Sequence, residues 1–209
     1  MSSLLPEQLR GRDYTLIIDR SGSMSTKDVL GGKSRWQAVQ ETTLALARYI
    51  ASIDADGITV YTFSTKFKRY DEVKTEDRVR EIFSKDPIGD TNLAEVLKHA
   101  IDDYFQRKAN EKAKPNGEIF LIITDGEPDN KQAVRELIKD TTYKIERDEE
   151  IGISLIQIGN DQDATRFLKE LDNELENLGA KFDICNTLTF EELADYDSLE
   201  EVLLSAIND

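Results

Sequence analysis

Glu118-Ile119-Phe120-Leu121-Ile122-Ile123-Thr124 is the most apolar run in the chain. An extended run sends successive side chains to opposite faces, and here both faces are apolar. Such a strand belongs in the middle of a sheet, covered by helices on both sides. The rest of the chain supplies that cover. Short apolar runs rich in β-branched residues fall at 13–19, 58–63, 151–158 and 181–186, and each reads as a strand. A further strand at 67–73 follows 58–63 so closely that it is expected to be an antiparallel edge, with Lys66, Lys68 and Arg69 suited to exposure there. Between these runs, apolar residues recur every three or four positions. That spacing predicts helices over 35–53, 75–84, 130–144, 163–178 and 190–207, and a strongly amphipathic one from Leu93 through Val96, Leu97, Ala100, Ile101, Tyr104 and Phe105. Strand–helix alternation of this kind predicts an α/β fold with a doubly wound, mostly parallel sheet. Residues 1–12, with Pro6 and Gly11, read as an N-terminal leader, and 13–209 as one domain.

The first strand delivers Asp19 into Asp19-Arg20-Ser21-Gly22-Ser23. One carboxylate and two hydroxyls within five residues are hard oxygen donors of the kind magnesium prefers. Taken alone they are also ordinary turn and helix-cap residues. Two later stretches add to them. Thr91, in Gly89-Asp90-Thr91, opens the amphipathic helix, and Asp125 ends the apolar strand in Thr124-Asp125-Gly126. Right-handed crossovers put all parallel strand C-termini on one rim, and a doubly wound sheet binds ligands there, where the strand order reverses. Asp19, Ser21, Ser23, Thr91 and Asp125 are therefore expected to converge.

Asp19-x-Ser21-x-Ser23, Gly89-x-Thr91 and Thr124-Asp125-Gly126 together resemble the metal-ion-dependent adhesion site of von Willebrand factor type A (VWA) domains. Order and spacing match over about residues 13–205. The resemblance implies a Rossmann-like six-stranded sheet of order 3-2-1-4-5-6 with a short antiparallel edge strand. It also implies that Ser21, Ser23 and Thr91 bind a metal through their hydroxyls, Asp19 and Asp125 directly or through water. One position is then left for a carboxylate of a partner protein. With only two carboxylates the ion stays electrophilic, which favours an incoming acid. Magnesium is expected, with manganese or calcium as substitutes. The chain looks most like the stand-alone intracellular members from bacteria.

Charge and composition narrow the partners. Net charge is −15, and residues 140–209, with 5 basic and 19 acidic side chains, hold nearly all of it. Nucleic acid is an unsuitable partner for such a chain. No apolar run approaches the roughly 20 residues that span a bilayer, and no secretory signal is expected at the N-terminus. The single cysteine, Cys185, fits a reducing, cytoplasmic setting and reads as a packing residue. Trp36 reads as a core anchor, and the single histidine, His99, as a surface or packing residue. The function expected is metal-dependent protein–protein interaction by a monomer without enzymatic activity. The alternative is a magnesium-dependent phosphohydrolase with Asp19 as phosphoryl acceptor. That chemistry wants a nearby cation, and Arg20 and Lys27 are the candidates in the first loop.

Overall fold

The computed structural model describes residues 7–194 and 198–208. Strands β1 (Asp13–Asp19), β2 (Ile58–Phe63), β3 (Phe67–Val73), β4 (Glu118–Thr124), β5 (Ile151–Gln157) and β6 (Cys185–Thr189) form one sheet of order β3-β2-β1-β4-β5-β6. Every pairing is parallel except β2 with β3. The helices are α1 (Arg35–Ile53), α2 (Glu76–Ile82), α3 (Leu93–Ala109), α4 (Lys131–Thr142), α5 (Gln162–Asn173) and α6 (Leu199–Ser205). This is the α/β architecture that the strand–helix alternation predicts.

β4 is buried along its whole length. Ile119, Leu121 and Ile123 enter the core shared with Trp36, Val39 and Ile50 of α1 and Leu203 of α6. Phe120 and Ile122 enter the opposite core, with Leu97 and Ile101 of α3, Val134 of α4 and Leu168 of α5. Each such side chain contributes about 1.5–3 kcal/mol by leaving water, so the strand holds both helical layers to one sheet. Trp36 stacks against Phe83 with ring centroids 4.3 Å apart. Cys185 is fully buried. His99 is exposed and its Nδ1 lies 3.1 Å from the Tyr61 hydroxyl.

Three boundaries differ from the pattern expected of the sequence. β6 begins at Cys185 rather than near residue 181, because the Lys181 N–H donates to Thr142 Oγ1 at 2.9 Å and draws that segment to the end of α4. α5 stops at Asn173 rather than running to 178. The helix expected over 190–207 is two pieces, a 3-10 turn at Glu192–Ala194 and α6. Each piece has its own cap. Glu192 Oε2 accepts from the Thr189 N–H at 2.6 Å while Thr189 Oγ1 accepts from the Glu192 N–H at 3.2 Å, and Ser198 Oγ accepts from the Glu201 N–H at 3.3 Å. Two N-terminal caps start two elements. The part of the expected helix at 195–197 lies outside the described residues.

Candidate metal centre

β1 and β4 are parallel neighbours, so Asp19 and Asp125 leave the same rim side by side. The strand order reverses at this point, since β1 is followed by β2 on one side and β4 by β5 on the other. The loops around the two carboxylates are tied together by backbone bonds. The Arg20 N–H donates to Phe63 O at 2.6 Å, the Ile88 N–H to Arg20 O at 2.8 Å, the Gly22 N–H to Gly89 O at 3.2 Å and the Asn92 N–H to Ser64 O at 3.1 Å.

Four of the five residues singled out in the sequence form one hydrogen-bonded group. Asp19 Oδ1 accepts from the Ser21 N–H at 2.7 Å and Asp19 Oδ2 from the Thr124 hydroxyl at 2.8 Å. Ser21 Oγ and Ser23 Oγ are 3.0 Å apart, and the Ser23 hydroxyl donates to Asp125 Oδ1 at 2.8 Å. Thr91 stands outside this group, and its backbone pairs with Asp129 instead. Its N–H faces Asp129 Oδ1 at 3.4 Å and its carbonyl accepts from the Asp129 N–H at 3.1 Å. Among the described residues its hydroxyl bonds none of the other four. Asp129 is thus a rim carboxylate that motif spacing did not single out.

Asp19 and Asp125 are both almost wholly buried. Burial, with the charge of Asp125 adding to it, pushes the Asp19 carboxyl up to about 6. Among the described residues the one cation in contact with the pair is Arg35, whose Nη1 donates to Asp125 Oδ2 at 2.9 Å. Nε and Nη2 of the same guanidinium grip Asp28, and hold its carboxyl below the usual range. Arg35 is fixed from both ends. A capping box of Ser34 and Gln37 sets the start of α1. Gly159, at φ +83°, lies so close that a Cβ there would be 2.5 Å from the guanidinium carbon. Arg35 lies beyond the two first-loop cations, Arg20 and Lys27, that the sequence brings forward. The legible signal was the Ser34-x-x-Gln37 box beside it, which fixes its backbone but not its partner.

The donor set suits a divalent cation. The Ser21 and Ser23 hydroxyls and Asp125 form a chain of oxygens within hydrogen-bond distance, Asp19 joins it through the Ser21 N–H, and among the described residues the buried pair of carboxylates meets one counter-charge, Arg35 on Asp125.

A second acidic group lies at the other end of β1. Carboxylate oxygens of Asp13, Asp54 and Asp56 fall within 4.8 Å of one another, which could hold an ion. The Lys114 ammonium already lies among them, against Asp54 and 3.1 Å from Asp56. No helix among the described residues is long and apolar enough to cross a membrane.

Residues 13–202 match the family model for the von Willebrand factor type A domain. Such domains are generally metal-dependent protein-interaction modules rather than enzymes. A sequence comparison with curated proteins gives no match. Among solved structures, the chain is similar to a D319A mutant of the PilB minor pilin from Streptococcus sanguinis, at TM-score 0.63 and 12% identity, covering 96% of this chain and 61% of that one. It is similar to the manganese-loaded TRAP protein of Plasmodium vivax, at TM-score 0.57 and 16% identity, covering 90% and 72%. The pilus adhesin SpaC from Lactobacillus rhamnosus GG matches at TM-score 0.60 and 13% identity, covering 95% and 30%. The chain thus spans less than two thirds of either pilus protein. At these identities the likeness concerns the fold.

Proposed function

The chain belongs to the von Willebrand factor type A domain family, and on that premise we propose that it binds another protein through a divalent cation held by Asp19, Ser21, Ser23, Thr91 and Asp125. The observation that carries this reading is the group at the β1/β4 rim of two buried carboxylates, the buried Ser21 hydroxyl and the exposed Ser23 hydroxyl. A bound ion there supplies an electrophilic position for a partner's Asp or Glu carboxylate. Asp19 and Asp125 bring charge, the serines and Thr91 bring neutral oxygens, and Ser21 N–H and Thr124 keep Asp19 oriented. Magnesium is the ion we assign. Manganese, the ion in the TRAP structure, and calcium are the substitutes. The single, buried cysteine accords with a cytoplasmic setting, and we take the protein to act as a monomer that does not bind nucleic acid.

The phosphohydrolase alternative is weaker. That chemistry wants a cation beside the acceptor carboxylate to neutralise the phosphoryl group, and among the described residues neither Arg20 nor Lys27 pairs with the Asp19 carboxylate. Arg20 donates to Asp86 O at 3.2 Å.

Capture from an extract of the native host tests the reading. A partner retained in magnesium and released by EDTA supports it, provided that one Asp→Asn or Glu→Gln change in that partner abolishes retention. Equal retention with and without EDTA overturns it. Arg35→Gln gives an independent check. It leaves buried Asp125 without its ion pair, so the metal-free protein is expected to lose about 2 kcal/mol, or about 4–8 °C in melting temperature. Magnesium should restore part of that loss, because it takes over the neutralisation of Asp125. Thermal scans with and without magnesium read both effects.

A further inference from the structure

In a chain of net charge −15 most cations are spent on carboxylates, yet one pocket gathers four that are not. Arg20, Lys66, Lys68 and Lys85 line a cavity of about 110 Å³ together with Thr62, Phe67, Tyr70 and Ile82. None of the four cations is in a salt bridge among the described residues, and no carboxylate lines the cavity. The Arg20 guanidinium donates to the backbone carbonyl of Asp86 at 3.2 Å. The Lys68 ammonium sits 4.3 Å from the centre of the Tyr70 ring. Lys66, Lys68 and Lys85 are exposed while Tyr70 and Ile82 are buried, so the pocket has a cationic rim over an apolar floor. A low-dielectric floor strengthens the attraction of such a rim for an anion.

The pocket adjoins the candidate metal centre. Arg20 is the residue after Asp19. Lys66 lies in the β2–β3 turn whose Ser64 carbonyl accepts from Asn92, the residue after Thr91. Ile88, 69% exposed, is pinned by its N–H to the Arg20 carbonyl and offers an apolar contact at the same edge.

We propose that this pocket receives a second carboxylate of the same partner segment, so that the protein selects acidic peptides carrying one acid for the metal and another for the Arg20/Lys66/Lys68/Lys85 pocket. The proposal deepens the metal-dependent reading and rests on it for the first acid alone. Charge complementarity picks the occupant, since four cations with no carboxylate among the pocket's lining residues attract an acidic side chain. The small cavity admits one acidic side chain at a time.

The test uses a fluorescein-labelled decapeptide of alternating Glu and Gly, with a Gln–Gly decapeptide as control, in anisotropy titrations of the full chain. Magnesium-dependent binding of the Glu peptide is expected to weaken about tenfold or more in Lys66→Glu/Lys85→Glu, with a shallower salt dependence. The magnesium-induced rise in melting temperature reports the metal site separately and is expected to persist in that variant. Unchanged Glu-peptide affinity in the double variant, or equal affinity for the Gln peptide, overturns the proposal while leaving the metal reading intact. Lysine-dependent binding that EDTA does not affect upholds the pocket and overturns the metal reading. Inorganic phosphate that displaces the peptide where acetate of equal ionic strength does not would reassign the pocket to phosphoryl groups, and so overturn it.

Discussion

Magnesium is expected to stabilise the wild-type protein and to leave Asp19→Asn unstabilised, with the fold of the variant intact. At magnesium one hundred times its dissociation constant, a ligand that binds only the folded state adds about 2.7 kcal/mol. For a chain of this size that is a rise of about 5–10 °C in melting temperature. Asparagine keeps the size of the side chain and much of its bonding. Its carbonyl oxygen can accept from the Ser21 N–H, and its amide can donate to Thr124 Oγ1, in place of the bonds observed at 2.7 and 2.8 Å. What it removes is the charge. Loss of residues that merely orient metal ligands costs about 10–100-fold in affinity, so loss of a charged ligand should cost at least about 100-fold. The metal-free variant has a further reason to fold, since the wild-type carboxylate is buried beside Asp125 and pushed up to about 6. Partner capture should vanish with the metal shift. A wild-type-sized magnesium shift in Asp19→Asn would remove Asp19 from the site. Calorimetric titration with magnesium and manganese gives the same comparison as binding constants.

The parts of this molecule that were legible in the sequence are those fixed by local pattern. The apolar run 118–124 could only be an interior strand, and its alternate residues do face two cores. The rim position of Asp19 and Asp125 followed from topology, because each ends a strand and parallel strands end together. Patterns that compete locally were harder to rank. Apolar residues at 193, 199, 202 and 203 suit one long helix, yet Thr189-x-x-Glu192 and Ser198-x-x-Glu201 are two start signals in the same stretch, and the start signals prevailed. Long-range partnerships were not legible at all. Arg35 meets Asp125 ninety residues away and depends on the missing side chain of Gly159. The cationic pocket collects its four charges from the β1 exit, the β2–β3 turn, β3 and the end of α2. No spacing rule links those positions.

Gly117→Ala is expected to be the most destabilising small substitution outside the metal centre, and the reason is a backbone approach rather than a lost contact. Gly117 stands just before β4 at φ +88°, and its carbonyl accepts from the Asp13 N–H at 2.9 Å, which helps to align β1 with β4. A Cβ there would fall 1.8 Å from the carbonyl oxygen of Glu150. Glu150 cannot easily yield. Its buried carboxylate is bound by the Tyr104 hydroxyl at 2.9 Å, the Lys108 ammonium at 2.7 Å and the Glu146 N–H at 3.0 Å, and the next residue, Ile151, opens β5 opposite Glu118. The left-handed conformation costs about 1–2 kcal/mol and the forced shift about 1–3 kcal/mol more, for a total of about 2–5 kcal/mol. Melting temperature should fall by about 4–20 °C. Gly31→Ala separates the two contributions. Gly31 has nearly the same angle, φ +84°, and a Cβ there would meet nothing within 4 Å, so this variant should lose only the conformational part, about 1–2 kcal/mol. Equal losses in the two variants would show that the Glu150 approach carries no cost. Because Gly117 and Asp19 sit at opposite ends of the β1–β4 pair, their effects should add. Gly117→Ala should then keep the full magnesium-induced rise from its lowered baseline, and Asp19→Asn should keep the baseline and lose the rise.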